Sequence, residues 1–141
     1  MAPSVEIVGV FSDVDEADPR SLDTDEYVVL VNVANEPVSL SGWSLTNLKT
    51  DGLHHFRYLF PRFLSSGESW VLEPGGMLLL YTGRGSNGAT ATPGEARQVH
   101  LYQHRTMAIW VEPGDQVCLI DRTGGLHASF GLPVAPRTST S

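Results

Sequence analysis

The chain has 141 residues and a formal net charge of −7. A single domain of this length buries roughly 70% of the surface that its unfolded chain exposes. No apolar run approaches the ~20 residues of a membrane-spanning helix, and the one cysteine, Cys118, excludes an internal disulfide. We therefore expect one soluble domain without a membrane span, in which Cys118 is a small buried hydrophobic residue.

The negative charge is concentrated at the N-terminal end. Residues 1–36 contain nine acidic residues and one basic residue, whereas residues 37–141 contain seven acidic and eight basic residues. This acidity disfavours strong binding to the phosphate backbone of nucleic acids. A role as a nucleic-acid accessory domain stays open as the weaker alternative, because five arginines could form a basic patch in the folded chain: Arg57, Arg62, Arg84, Arg97 and Arg105.

A first strand is predicted from Val5 to Phe11. Its apolar positions alternate with the others, so we expect Val5, Ile7 and Phe11 to face inward. Gly9 lies within the strand and indicates a bulge.

Residues 12–25 are predicted to be an acidic loop that buries no face. Its closely spaced carboxylates, from Asp13 to Asp25, are hard oxygen ligands that could gather around Ca²⁺. The EF-hand pattern fails, because the glycine and the distal glutamate that it requires at fixed spacing are absent. We expect a solvated loop, and a Ca²⁺-dependent extracellular or surface domain that uses residues 13–25 is the alternative.

The clearest strand follows, over residues 27–33. Its near-continuous apolar run predicts burial on both sides, or at least a central position in its sheet. After a turn, residues 38–41 alternate as a half-buried strand should. Gly42 is expected to adopt a backbone conformation that side chains resist, and Trp43 is expected to return to the core and fill the space between two sheets.

The second half of the chain continues the same pattern of short strands and turns. Residues 83–95 are rich in small polar residues and are predicted to form a mobile loop, and residues 133–141 a disordered tail. Short strands with a turn signal about every ten residues indicate a sandwich or a barrel. The remaining predicted strands cover residues 55–63, 77–82, 98–102, 107–111, 116–120 and 126–130.

One block, E-Y-V-V-L-V-N followed by V-S-L-S-G-W-S-L, resembles the lamin tail domain. Further motifs appear in the order found in the bacterial branch of that family: Pro74-Gly75, Tyr81-Thr82-Gly83-Arg84-Gly85, Trp110, Gly114-Asp115, and Leu119-Ile120-Asp121 before Gly124. The resemblance implies an all-β, immunoglobulin-like β-sandwich over residues 1–132, here as a stand-alone domain.

The same resemblance implies an interaction or scaffold domain, with protein and sometimes nucleic-acid partners, and carries no catalytic residues to this chain. Two departures stand out. The segment from His54 to Ser69 is longer than expected before the Pro-Gly turn, which predicts an extra excursion or strand there. No heptad repeat is present, so filament assembly of the lamin kind is not implied.

Several sequence patterns resemble functional sites and are rejected. Residues 83–88 match G-x-G-x-x-G, but the dinucleotide fingerprint requires a helix next, and the chain continues with proline and a second turn. His100 and His104 would lie roughly 13 Å apart in a strand, and the adjacent His54 and His55 would point to opposite faces, so no metal set is predicted. No G-x-S-x-G elbow is present for a hydrolase.

We interpret the chain as a non-catalytic protein-interaction or scaffold module rather than an enzyme. We assign no catalytic, cofactor-binding or metal residues and expect no cofactor. The expected partner is an unidentified protein, and nucleic acid is disfavoured. The N-terminal residues lack a basic segment and include Glu6, so they do not match a secretory signal. This favours the cytoplasm by default, or an extracellular location if a signal has been removed.

Overall fold

The computed structural model describes residues 4–15, 17–18, 20–90, 97–110 and 114–132. Within these ranges almost all regular structure is strand. The strands are β1 (Val5–Ser12), β2 (Glu26–Asn32), β3 (Ser44–Leu48), β4 (His54–Leu59), β5 (Met77–Tyr81), β6 (Gly88–Thr90), β7 (Gln98–Tyr102), β8 (Gln116–Ile120) and β9 (Leu126–Gly131), and a short helix, α1 (Leu22–Asp25), precedes β2.

The strands form two sheets that pack face to face as a sandwich. One sheet has five strands in the order β1-β2-β5-β7-β6, and the other has four in the order β4-β3-β8-β9. Neighbouring strands are antiparallel except for β5 and β7, which are parallel. β2 is hydrogen-bonded on both sides, to β1 and β5, which confirms its predicted central position.

The core lies between the two sheets and is built from the inward positions of both. Leu30, Leu78 and Leu101 of the five-stranded sheet are fully buried, and so are Leu45 and Leu119 of the four-stranded sheet to within about one per cent. Because side chains alternate along a strand, each of these residues has neighbours that face away from the core. Those outward neighbours differ sharply between the two sheets.

Trp43 does not fill the space between the sheets as expected. It is half-buried and packs against the edge of the core, in the turn before β3, with its ring 4.7 Å from that of His127. The preceding Gly42 has φ +83°, which confirms its predicted role in this turn. The buried tryptophans are instead Trp70 and Trp110, which lie outside the strands.

β1 follows the prediction until its bulge. Val5 and Ile7 are buried, and the register against β2 shifts between Ile7 and Gly9, which confirms the bulge. The extra residue reverses the alternation beyond it, so that Val10 packs against the core and Phe11 is 51% exposed. The prediction that Phe11 faces inward is therefore wrong.

Several loop predictions are also corrected. The acidic loop contains α1, whose Leu22 is buried, so the loop does bury a face. Residues 83–95 contain the strand β6, paired with β7, and residues 91–96 lie outside the described ranges. Residues 38–41 form a single bridge between Val38 and Leu72 rather than a strand.

Residues 107–110 form no strand either, and Val111 lies outside the described residues. Ile109 is held instead by two side chains: its N–H donates to the Glu26 carboxylate, and its carbonyl oxygen accepts from the Asn47 amide. The excursion predicted between residues 54 and 69 is present as β4 and a bridge between Phe63 and Ser69.

Cys118 is buried in β8, as predicted. The tail predicted over residues 133–141 lies outside the described residues. No helix in the described part of the chain is long and apolar enough to cross a membrane.

Candidate functional site

The outward face of the five-stranded sheet carries a row of four aromatic side chains. Phe11 of β1, Tyr27 of β2, Tyr81 of β5 and Tyr102 of β7 are direct register partners across four adjacent strands. We call these residues the aromatic row. At the usual strand spacing of about 4.8 Å the row spans roughly 14 Å.

Neighbouring rings of the aromatic row are in contact, stacked for Phe11 with Tyr27 and for Tyr81 with Tyr102, and tilted by 48° for Tyr27 with Tyr81. Ring centroids are 5.0 Å apart between Phe11 and Tyr27, 5.4 Å between Tyr27 and Tyr81, and 4.8 Å between Tyr81 and Tyr102. Burial, followed by the neighbouring Tyr102 and Tyr27 hydroxyls, raises the pKa of Tyr81. Because the rings cover each other's faces, they leave little open π-surface for stacking a sugar or a nucleobase.

Apolar residues extend this face beyond the aromatic row. Along β2 and β5 the next outward positions are Val29 opposite Leu79 and then Val31 opposite Met77. His100 of β7 lies beside Leu79 and stacks on the Tyr81 ring at 6.0 Å, and burial lowers the pKa of its imidazole. We call the aromatic row and these five residues the apolar face. It is partly solvent-exposed, with Phe11 at 51% and Met77 at 36%.

Acidic residues flank the apolar face on its β1 side. Glu6 is outward on β1, opposite Val31. Asp13 lies two residues after Phe11, and Asp25 lies two residues before Tyr27. The Asp13 N–H donates a 2.9 Å hydrogen bond to the Asp25 carbonyl oxygen. We call Glu6, Asp13 and Asp25 the acidic rim.

Glu26 anchors this end of the sandwich from the inside. Its fully buried carboxylate accepts hydrogen bonds from the Ser12 hydroxyl at 2.6 Å, the Thr82 hydroxyl at 2.6 Å and the Ile109 N–H at 2.8 Å. It therefore joins β1, β2, the end of β5 and the segment that follows β7. Sequence reasoning counted Glu26 among the N-terminal acids and in the E-Y-V-V-L-V-N block but gave it no structural role. The available signal was an acid placed at the start of an apolar strand.

A cleft of about 500 Å³ lies beside the acidic rim, between the acidic loop and residues 105–108. Its charged groups hold the surrounding loops. The Asp23 carboxylate accepts the Arg84 N–H at 2.6 Å, and the Arg105 guanidinium lies 5.1 Å from the Phe56 ring and donates to the Arg57 carbonyl oxygen. Its charged and apolar lining includes Asp15, Asp18, Leu22, Asp23, Arg84 and Arg105.

The carboxylates considered for Ca²⁺ are largely engaged by the loop itself. Asp15 accepts the Ala17 N–H at 2.9 Å, and Asp18 accepts the Arg20 N–H at 3.0 Å. Asp25 accepts the Ser21 hydroxyl at 2.6 Å. Among the residues that the structure describes, no three His, Cys, Asp or Glu side chains are grouped so that they could hold a metal ion.

The five arginines do not come together as one patch. Arg84 and Arg105 line the same cleft, where aspartates oppose them, and Arg57 is next to Arg105. Arg62 lies 5.4 Å from the Phe63 ring, and Arg97 forms a 2.9 Å ion pair with Glu68. The cleft therefore carries both signs of charge and is not a basic surface for phosphate.

The histidines serve local contacts. His54 hydrogen-bonds Thr46 at 2.7 Å and His55 hydrogen-bonds Asp51 at 2.8 Å. The expectation that His104 lies in a strand with His100 is wrong, because β7 ends at Tyr102 and His104 has φ +57°.

The G-x-G-x-x-G motif forms a close-packed turn. No helix follows it; the chain enters β6 at Gly88 instead. A Cβ at Gly85 would lie 2.5 Å from the Tyr102 ring, so the loop backbone rests directly on the end of the aromatic row. Packing accounts for this glycine without a nucleotide.

The structure also pairs a serine with a histidine that sequence reasoning missed, since 123 residues separate them. Ser4 Oγ lies 3.3 Å from His127 Nε2, but the same nitrogen accepts the Val5 N–H at 3.2 Å. Burial lowers the pKa of His127, and nearby Asp121 opposes that shift. A ring nitrogen already occupied by a backbone N–H is poorly placed to take a serine proton, so the pair fastens β1 to β9.

The comparisons with known proteins agree with this architecture. No curated protein matches the sequence. The family model of the Lamin Tail Domain, an immunoglobulin-like and non-catalytic domain family, matches residues 2–133. Membership of the bacterial branch and occurrence as a stand-alone domain stay predictions. The match covers essentially the whole chain, and with the two-sheet sandwich it confirms the predicted resemblance: this chain belongs to the lamin tail domain family.

Proposed function

We propose that this domain is a non-catalytic protein-interaction module that docks a partner on the apolar face. The observation that carries the proposal is a sheet that is apolar on both sides. β2 and β5 bury Leu30 and Leu80 inward, and they also present Val29 and Leu79 outward. Strands with apolar residues on both faces are typical of sheets covered on both faces.

The exposure of residues at the borders of this face supports the same conclusion. Phe11 is 51% exposed and Met77 is 36% exposed. An apolar patch of this kind on a soluble domain commonly marks an interaction site. The backbone N–H that His127 already accepts argues against a role for this histidine as a catalytic base, which supports a non-catalytic module.

Site-specific photo-crosslinking tests the proposal. A photoreactive residue at Met77, on the apolar face, should give a discrete protein adduct in the native host. The same residue at Leu126, which is 64% exposed on the other sheet, should not. Equal labelling from both positions, or an adduct from Leu126 alone, would refute docking on the apolar face.

A further inference from the structure

The shape of the apolar face indicates which kind of secondary structure would cover it. The face spans four strands, roughly 14 Å at the usual strand spacing. An α-helix with its side chains is about 10 Å in diameter, and a helix laid on a sheet is a standard way to bury an apolar sheet face. An added strand would use the hydrogen-bonding edge of the sheet and leave the face itself exposed.

The charges around the face narrow the choice further. Carboxylates line its β1 side, whereas Arg84 lies in the cleft beside the acidic rim, where the Asp23 carboxylate accepts its backbone N–H. No ion pair involves Glu6 or Asp13 in the part of the chain that the structure describes. A second copy of the chain would bring another net charge of −7 to this surface, which like-charge repulsion opposes.

We propose that the apolar face binds an amphipathic α-helix of a protein partner, with lysines or arginines along the flank that lies over the acidic rim. Leucine-like side chains of the helix would cover Tyr27, Leu79 and Met77, and its cations would lie near Glu6 and Asp13. This proposal rests on the proposed function, since it names the partner of the same surface.

Two designed peptides test the proposal, each about 18 residues long, or five helical turns. Both carry leucine on one helical face; one carries lysine and the other glutamate on the remaining positions. Binding is measured by fluorescence anisotropy at about 50 mM salt, where screening of exposed charges is limited. We expect the lysine peptide to bind at least about tenfold more tightly, because complementary charges attract and like charges repel across an interface.

Three double variants locate the binding. The face variant, Phe11→Thr with Met77→Thr, changes exposed residues of the apolar face and should weaken the lysine peptide about tenfold or more. The control variant, Leu59→Thr with Leu126→Thr, changes residues that are equally apolar and 64% exposed on the other sheet, and should bind normally. The rim variant, Glu6→Gln with Asp13→Asn, should weaken only the lysine peptide. Melting curves check that each variant is folded.

The outcomes separate the two proposals. If the face variant weakens both peptides equally and the rim variant changes nothing, the docking face stands and the basic helix is refuted. If the face and control variants bind alike, both proposals fall. A dimer of the parent protein that the face variant dissolves would make a second copy the occupant. Binding to phosphatidylcholine vesicles that the face variant abolishes would assign the face to a lipid surface.

Discussion

One outward row of residues in each sheet shows how the two outward faces differ. In the five-stranded sheet one outward row reads Phe11, Tyr27, Tyr81 and Tyr102. A corresponding row of the four-stranded sheet reads Arg57, Thr46, Cys118 and Ser129.

The second row is small and polar, and only its ends are exposed. Thr46 bonds His54, and Thr46 and Cys118 at the centre of the row are each 1% exposed, whereas Arg57 and Ser129 are exposed. Antiparallel sheets commonly have one face on the core and one solvated face. The polar row of the four-stranded sheet is closer to that rule than the aromatic row of the five-stranded sheet, although the four-stranded sheet also exposes Leu59 and Leu126. This difference favours the five-stranded sheet as the docking surface that we propose.

The largest expected effect is a difference in the free energy of unfolding between substitutions on the inward side and on the outward side of β5. Leu80→Ala should lower the free energy of unfolding by about 2–5 kcal/mol, because it opens a cavity at a fully buried position. Leu79→Ala, one residue away on the apolar face, should cost less than about 1.5 kcal/mol, since it removes only partly buried area. Urea unfolding measures both. Equal losses would mean that the outward side is itself part of a core.

The next effect concerns the buried acid behind the aromatic row. Glu26→Ala should cost about 3 kcal/mol in urea unfolding, because it leaves the Thr82 hydroxyl and the Ile109 N–H without their acceptor. Glu26→Gln, which keeps the shape and one acceptor oxygen, should cost less. A loss below about 1 kcal/mol for the alanine variant would show that this end of the sandwich is hydrated and loosely held.

A third effect on stability concerns Trp43, which lies at the edge of the four-stranded sheet. A core tryptophan truncated to alanine costs about 3–5 kcal/mol. Because Trp43 is half-buried and contacts His127 at the sheet edge, we expect Trp43→Ala to cost about 1–2 kcal/mol. Trp110→Ala is the buried control and should reach the larger value. Thermal and urea unfolding of the two variants give the comparison.

A smaller effect is the pH dependence of stability, to which one histidine from each sheet contributes. Burial lowers the pKa of His100 on the apolar face and of His127 in β9. The unfolded chain therefore binds more protons than the folded chain below the unfolded pKa of about 6.5, and stability falls as the pH drops through that value. The loss levels off once the pH is below the folded pKa.

The pH dependence is measured as the urea midpoint between about pH 8 and pH 5. His100→Gln and His127→Gln should each flatten it, and the double variant most. His55→Gln is the control, since His55 is exposed on β4 and bonds Asp51. A midpoint that rises on acidification would contradict the expected direction.

Strand positions were predictable because alternation and turn residues are local signals. β2, β5, β7 and β8 lie where the sequence places them to within one residue. Phe11 was assigned to the wrong face because a one-residue bulge reverses everything beyond it.

The candidate site was less predictable, because it exists only after folding. Tyr27, Tyr81 and Tyr102 lie far apart in sequence and meet only through strand register. Glu26 gains its donors from segments 14 to 83 residues away. The resemblance to the family predicted the sandwich, whereas these contacts depend on side chains that no local pattern brings together.

The smallest expected effect is that of Ca²⁺ on the acidic loop, which flanks the apolar face. A ligand that binds only the folded state at a hundred times its dissociation constant stabilises it by about 2.7 kcal/mol. Asp15 and Asp18 already accept backbone N–H groups, and Asp25 accepts the Ser21 hydroxyl. We therefore expect the melting temperature to be unchanged by millimolar Ca²⁺, with Mg²⁺ as the ionic-strength control.

The double variant Asp13→Asn with Asp15→Asn gives this test its contrast. If the loop is solvated, the melting temperature of the double variant should respond to Ca²⁺ no differently from that of the parent protein. A clear stabilisation of the parent by Ca²⁺ that is absent from the variant and not reproduced by Mg²⁺ would establish a calcium site. The acidic rim would then be partly neutralised when the ion is bound, and the lysine peptide should bind more weakly with Ca²⁺ than without it.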